Sequence, residues 1–267
     1  MKRIVVKIGT NVITRNDGSL DITQMSSLVD QISELHKSGY EIIMVSSGSV
    51  ACGRSLLPQI TENLDTLDQR QLFSAVGQAK LIDLYYTLFK EHDITIGQVL
   101  TTKESLAGKK QMANQYNCMS VMLNHRIIPI INENDTIAIT ELMFTDNDEL
   151  AGLVSQMMKV QCLILLTNVD GIYKLKEGHT GFAPDMSNAE IIREVMPDDD
   201  IDKFIMKSKS ARGRGGMITK ESVAIKAAKS GIETFIANGR KAGIITGLVN
   251  NPVITVSTRF IPSAETA

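Results

Sequence analysis

Cysteine is scarce, histidine scarcer in any useful arrangement, and long hydrophobic runs are missing. Cys52, Cys118 and Cys162 are odd in number, widely spaced and set among apolar or small residues, which excludes a disulfide framework and predicts reduced thiols in a cytoplasmic protein. His36, His92, His125 and His179 are scattered without ligand spacing, and no CxxC or HxxxH pair occurs, so a structural zinc site is not expected. The longest apolar runs, such as Cys162 to Leu166, are far too short to span a bilayer. Excess charge of either sign is also lacking. With 28 basic against 30 acidic residues the formal net charge is -2, which gives no electrostatic case for nucleic acid or a membrane surface and favours a small-molecule partner. The opening MKRIVVKIG starts like a signal peptide, but Lys7 and Asn11 interrupt the apolar run, so no targeting segment is expected. There is no internal repeat and no low-complexity tract.

What is present is a chain of 267 residues, 43% of them hydrophobic, enough to bury a sizeable core in one domain or two tight lobes. Short β-type runs recur at Ile4 to Ile8, Ile42 to Val45, Ile94 to Leu100, Ile127 to Ile131, Leu163 to Leu166, Ile232 to Ile236 and Val253 to Val256. They read as strands apolar on both faces. Helical patterns alternate with them. Ile22, Met25, Leu28, Val29, Ile32 and Leu35 follow Asp21, a good N-cap, and precede Gly39, a good C-cap. Leu72 to Leu88 and Leu150 to Met158 give two more helices, and a further one is expected from about Met217 to Ser230. This alternation predicts an α/β fold with a mainly parallel central sheet covered on both sides. The segment from Lys174 to Met206, rich in Gly, Pro and Asp, reads as a mobile excursion with a short helix and no strong strand.

Ligands of such sheets bind beyond the carboxyl ends of the strands, so the loops there carry the argument. Lys7 interrupts the first strand just before Gly9; a buried lysine must be paired or meet an anion, unless it snorkels from the strand end. Ser46, Ser47 and Gly48 offer amides at a helix start, although Ser-Gly turns are common. Asn132, Glu133, Asn134 and Asp135 gather polar groups after the fourth strand, as either an Asx turn or a ligand site. Thr145 to Glu149 places acids before an apolar helix, where capping explains one or two of them but not the combination of Asn147 and Asp148. Finally, GRGGMITK (Gly213 to Lys220) is glycine-rich and basic yet fits neither the Walker A nor the dinucleotide fingerprint. Lys220 falls in the first turn of the following helix, where the dipole disfavours a cation unless an anion is bound or the side chain is simply exposed.

Taken together, VVKIGTNVIT, VSSGSVACG, IPIINENDT, TDNDELAG, LLTNVDGIY and GRGGMITK occur in the order of a known family, and the chain resembles the amino-acid-kinase superfamily, in particular its glutamate 5-kinase branch. The resemblance implies a three-layer αβα sandwich over residues 1–260, glutamate side first and nucleotide side from about residue 161, with a tail at 261–267. It implies transfer of the γ-phosphoryl of ATP, with Mg²⁺, to the γ-carboxylate of L-glutamate, the first step of proline synthesis. Lys7 and Lys220 match the lysines that neutralise the moving phosphoryl, and Asp148 the carboxylate that orients them. Ser47, Gly48, Asn132, Asn134, Asp135 and Asn147 match the substrate side. Lys7, Gly9, Thr167, Asn168, Arg214, Gly215, Gly216, Met217 and Lys220 match the nucleotide side. The resemblance assigns no direct protein ligand to the metal. A homo-oligomer and functional coupling to glutamate 5-phosphate reductase are expected by the same resemblance.

Three departures stand out: Arg214 where the family usually has Thr, Asn168 where it usually has Asp, and a chain that stops soon after Val256, so that the appended RNA-modifying-enzyme-like β domain of many members is expected to be absent. Rival readings are a kinase of N-acetylglutamate or of a nucleoside monophosphate, and a sensor domain that binds without turnover. A free α-ammonium needs an anionic partner, which Asp135 supplies; an acetylated substrate would leave that charge unpaired. A sensor has no use for Lys7, Asp148 and Lys220 together.

Overall fold

The first strand sets the plan of the molecule. In β1 (Arg3–Ile8) the even positions Ile4, Val6 and Ile8 join one buried cluster while Val5 joins another, as the two-residue period of a strand requires. The same split recurs in β2 (Glu41–Ser46), with Ile42 and Met44 on one side and Ile43 and Val45 on the other. In β5 (Cys162–Thr167) it divides Ile164 and Leu166 from Leu163 and Leu165. Each such side chain removes roughly 1.5–3 kcal/mol worth of apolar surface from water, so both faces of the sheet must be covered. The computed structural model describes residues 2–60, 65–137, 144, 146–175, 189–199 and 216–263.

One face is covered by α2 (Ile22–Lys37), α4 (Thr66–Lys90) and α9 (Ile244–Asn250), the other by α6 (Lys109–Asn124), α7 (Asn147–Met157) and α8 (Met217–Lys229). Between them runs an eight-stranded sheet, completed by β3 (Ile96–Thr101), β4 (Ile128–Glu133), β8 (Glu194–Val195), β9 (Glu233–Asn238) and β10 (Thr258–Phe260), in the order β3-β4-β2-β1-β5-β9-β10-β8. All its pairings are parallel except β9 with β10. The expected αβα sandwich is therefore present. Its helix ends follow local chemistry: the Asp21 side chain accepts from Gln24 N, and Gly39 takes the left-handed conformation (φ 96°) after α2. No helix among the described residues is long and apolar enough to cross a membrane.

Two expectations are corrected. Val253 to Val256 is not a strand. Val253 and Ile254 are exposed, and Arg193 Nη2 donates to the carbonyls of Val253 and Thr255 at 3.0 Å, so that turn is tied to a guanidinium instead of a ladder. The strand follows at β10, while the apolar residues just before the turn form α9. The segment after Lys174 also contains more strand than its composition suggests. β6 (Tyr173–Leu175) pairs antiparallel with β7 (Ala189–Ile191), and β8 joins the edge of the main sheet. The short helix expected in that segment has no counterpart among its described residues.

Candidate active site

At the carboxyl end of β1, Lys7 points to the α7/α8 side of the sheet, where the alternation would otherwise place another apolar residue. Its Nζ lies 2.7 Å from Asp148 Oδ1, and Lys220 Nζ donates to Asp148 Oδ2 at 2.8 Å. Asp148 is the second residue of α7 and is completely buried; Lys7 and Lys220 are 4% and 9% exposed. Three residues from β1, α7 and α8 thus meet on one carboxylate. Burial alone would raise the Asp148 carboxyl, but the Lys7 and Lys220 ammoniums outweigh it and hold the group at about 2. Burial pulls Lys7 below its ordinary value, with Asp148 acting against it. Two ammoniums share the Asp148 carboxylate, with the Asp146 carboxyl beside them, and Lys220 sits near the positive end of α8. The arrangement is suited to a polyanion.

Asp146 caps α7, its Oδ1 accepting from the amides of Asp148 and Glu149 at 2.9 and 3.1 Å. Its Oδ2 is buried without a hydrogen-bond partner among the described residues, and burial, reinforced by the neighbouring Asp148, pushes the carboxyl up to about 6. The next residue, Asn147, donates through Nδ2 to Asn132 Oδ1 (2.7 Å), Ser47 Oγ (3.0 Å) and Ser46 O (3.3 Å), tying α7 to the ends of β4 and β2. Asn132 in turn donates to Gln78 Oε1 at 2.7 Å, on α4. Gly48 has φ 109°, a conformation a side chain would strain, and it opens α3 (Ser49–Leu56). α3 crosses α4 backbone to backbone at Gly53 and Gly77, where an added methyl would overlap Phe73 O and Ser49 O respectively.

Beyond Asn132, Asp135 is 5% exposed; its Oδ2 accepts from Ser74 Oγ at 3.0 Å, and its Oδ1 pairs with Arg70 of α4. The same Arg70 Nη2 lies 2.8 Å from Glu133 Oε2, whose other oxygen accepts from Phe144 N at 2.9 Å. Arg70, Asn132, Glu133 and Asp135 line a cleft of about 960 Å³ together with Ser47, Gly48 and Asn147. A second cavity of about 100 Å³ is lined by Lys7, Gly9, Asp148, Thr167, Asn168 and Lys220. Thr10, Ser47, Asp146 and Asn147 line both, so the two cavities meet along them.

Most residues expected at a site are therefore brought together. Asn134 is not: its side chain accepts from Thr136 Oγ1 at 2.6 Å and lines neither cavity. Gly216 caps α8 and Met217 begins it, but neither lines these two cavities, and Arg214 and Gly215 lie outside the described residues. Thr10, Asp146 and Arg70 join the site without having been expected there. Asp146 could have been found, because it stands directly before Asn147 and Asp148 in TDND; Arg70 carries no local signal.

Two lysines held on one acid beside glycine turns, at the carboxyl edge of a parallel sheet and adjoining a polar cleft, are the equipment of a phosphotransferase. The sequence profile of the Amino acid kinase family matches residues 2–238, and the chain belongs to that family. It is an ATP-dependent kinase of a small molecule. Among relatives, it is 56% identical to the glutamate 5-kinase of Bacteroides thetaiotaomicron over 98% of this chain and 71% of that one. Against the glutamate 5-kinase of Clostridium acetobutylicum it is 35% identical over 98% of this chain and 95% of the relative. Among solved structures, a carbamate kinase from Giardia lamblia bound to AMP-PNP shares the fold with a TM-score of 0.67 and 13% identity, covering 98% of this chain and 99% of the other. A UMP kinase from Ureaplasma parvum does so at a TM-score of 0.63 and 14% identity, over 98% and 100% of the two chains.

Proposed function

We propose that this kinase transfers the γ-phosphoryl group of MgATP to the γ-carboxylate of L-glutamate. The observation that carries the reading is the Lys7–Asp148–Lys220 triad placed where a small cavity adjoins a larger cleft holding a buried acid, Asp135. The names of the relatives at 56% and 35% identity support it.

A glutamate side chain has a pKa of about 4.3, so its carboxylate is already a nucleophile at neutral pH and no general base is needed. A carboxylate oxygen attacks the γ-phosphorus, the bond to the β–γ bridging oxygen breaks, and ADP leaves; no proton moves. The obstacle is repulsion between two anions. Lys7 and Lys220, oriented by Asp148, offset the charge that spreads over the phosphoryl oxygens in the loose transition state. Mg²⁺ belongs to the nucleotide substrate and adds further neutralisation. Asp146, whose buried Oδ2 lacks a hydrogen-bond partner among the described residues, is the carboxylate at the junction that would suit a hard cation. Asp135 takes the α-ammonium, and the Ser47 loop with Asn147 takes the α-carboxylate.

Recognition of a free ammonium sets the substrate. A charge-assisted hydrogen bond is worth about 1.5–3 kcal/mol, so Asp135→Asn should lose roughly one to two powers of ten in kcat/KM for L-glutamate while the KM for ATP changes little. Steady-state kinetics with both substrates test this. Wild-type kcat/KM for L-glutamate in a folded Asp135→Asn variant would contradict the assignment.

A further inference from the structure

The turn Asn238-Gly239-Arg240-Lys241, which closes β9 and leads towards α9, belongs to none of the motifs that suggested a site, and none of its residues lines either cavity. It nevertheless touches both strand-end segments that line the smaller one. Gly239 N donates to Thr167 O at 2.8 Å, and an added methyl at Gly239 would stand 2.6 Å from Val12 Cγ1 and 3.1 Å from Leu166 Cβ. Asn238 Nδ2 and Lys241 Nζ donate to Asp170 Oδ1 and Oδ2 at 2.9 and 2.7 Å, three residues beyond Thr167. Arg240 reaches the opposite way, to the segment after β1. Its Nη2 donates to Asn11 O at 2.9 Å and to Thr14 O at 2.6 Å, its Nε donates to Asn11 O at 3.2 Å, and its Nη1 lies 3.7 Å from Asp21 Oδ2.

These acceptors exist because α1 (Thr10–Ile13) is a single turn, too short to pair its own carbonyls. Thr14 Oγ1 donates to Thr10 O and Asp21 N to Ile13 O, while Asn11 O and Thr14 O accept from the guanidinium. Gly9, Thr10, Asn11 and Val12 line the smaller cavity, and a methyl on Gly9 would lie 3.6 Å from Lys7 Nζ, so this segment borders the ammonium pair. We infer that Arg240 is a positioning residue for the nucleotide: from outside the cavity it fixes the Gly9–Thr14 segment against which the phosphate oxygens lie, while the rest of its turn fixes the loop from Thr167 to Asp170. The inference rests on the proposed placing of MgATP at the smaller cavity and is independent of which acid accepts the phosphoryl group. The role does not depend on the charge of Arg240. Its side chain is 40% exposed, so its field is screened by water and salt, whereas forked donors of fixed geometry reach two carbonyls at once.

The test is calorimetric titration of AMP-PNP with Mg²⁺ into the full chain, for wild type, Arg240→Ala and Arg240→Lys. An exposed guanidinium adds little to global stability, so both variants should fold. Arg240→Ala should weaken nucleotide binding about fivefold or more. Arg240→Lys keeps the charge but ends one bond short of Nη2, and should weaken binding by a similar factor. Guanidinium chloride, far below denaturing concentrations, should restore at least half of the affinity lost in Arg240→Ala, and an equal concentration of sodium chloride should not. Wild-type affinity in Arg240→Ala overturns the inference. So does wild-type affinity in Arg240→Lys, which would make the residue a distant charge, and so does a loss in Arg240→Ala that guanidinium leaves unchanged, which would make it a structural prop. If Arg240→Ala fails to fold, Arg240→Lys decides alone by the same criterion. A wild type that binds no nucleotide overturns the inference together with its premise, whereas failure to phosphorylate L-glutamate changes only the acceptor.

Discussion

Replacing Asp148 by Asn removes one charge and almost no volume at the most buried ionised group of the site. In the wild type its two oxygens each meet an ammonium, at 2.7 and 2.8 Å. An amide can still accept from one lysine, but its NH₂ end must face the other, so a buried ammonium loses its counter-ion. Breaking a buried pair in this way costs about 3–5 kcal/mol. The depressed carboxyl gives an independent figure: about 2 against an ordinary 3.8 corresponds to ~2 kcal/mol of native-state stabilisation. Because the folded value is the lower one, this stabilisation is present above about pH 4 and lost as the pH falls towards 2. Together these place the loss at roughly 2–5 kcal/mol, which is about 4–20 °C in melting temperature for a chain of this size. Activity should fall further, because the lysines lose the orientation that the transition state requires; a drop in kcat of about a hundredfold or more is expected. Differential scanning fluorimetry and ADP-release kinetics on the purified variant measure both. A folded Asp148→Asn protein with wild-type kcat would refute the orienting role. An unchanged melting temperature at pH 7 would show that the pairing of Asp148 with the two ammoniums does not stabilise the fold.

Lys7→Met and Lys220→Met should each lower kcat by about a hundredfold or more with smaller effects on the two KM values, read by the same kinetics. Asp146→Asn keeps an N-cap acceptor but removes a carboxyl whose folded pKa is raised to about 6. Since the ionised form is the disfavoured one, the substitution should raise the melting temperature near pH 7.5 and leave it unchanged near pH 4, which thermal melts at the two pH values will show. Gly77→Ala forces α3 and α4 apart and displaces Ser49 and Gln78. It should cost about 1–3 kcal/mol in denaturant unfolding and raise the KM for L-glutamate more than that for ATP.

The parts of this fold legible in the sequence are those where a local pattern reports a local cause. Strands buried on both faces show as continuous apolar runs, and Asp21 and Gly39 mark the ends of α2 because capping depends on near neighbours. Val253 to Val256 misled because an apolar run records solubility, not partners: Arg193 claims its carbonyls from 60 residues away. Lys7 was legible as a charge in an apolar strand. Its meeting with Asp148 and Lys220 came from family resemblance, since nothing in spacing brings residues so far apart onto one carboxylate. Arg70 was invisible for the same reason: it is one arginine on a long helix, and the acids Glu133 and Asp135 that it meets lie more than 60 residues further along the chain. Asn134 misled in the opposite sense: a polar residue in a polar loop, turned back on Thr136.

Trapping the product decides whether this chain phosphorylates free L-glutamate. Purified protein incubated with MgATP and hydroxylamine should form γ-glutamyl hydroxamate and ADP in equal amounts when L-glutamate is supplied. With N-acetylglutamate in its place, hydroxamate should fall to a small fraction of that level. Absence of hydroxamate from L-glutamate, or equal yields from the two acids, would contradict the proposed reaction.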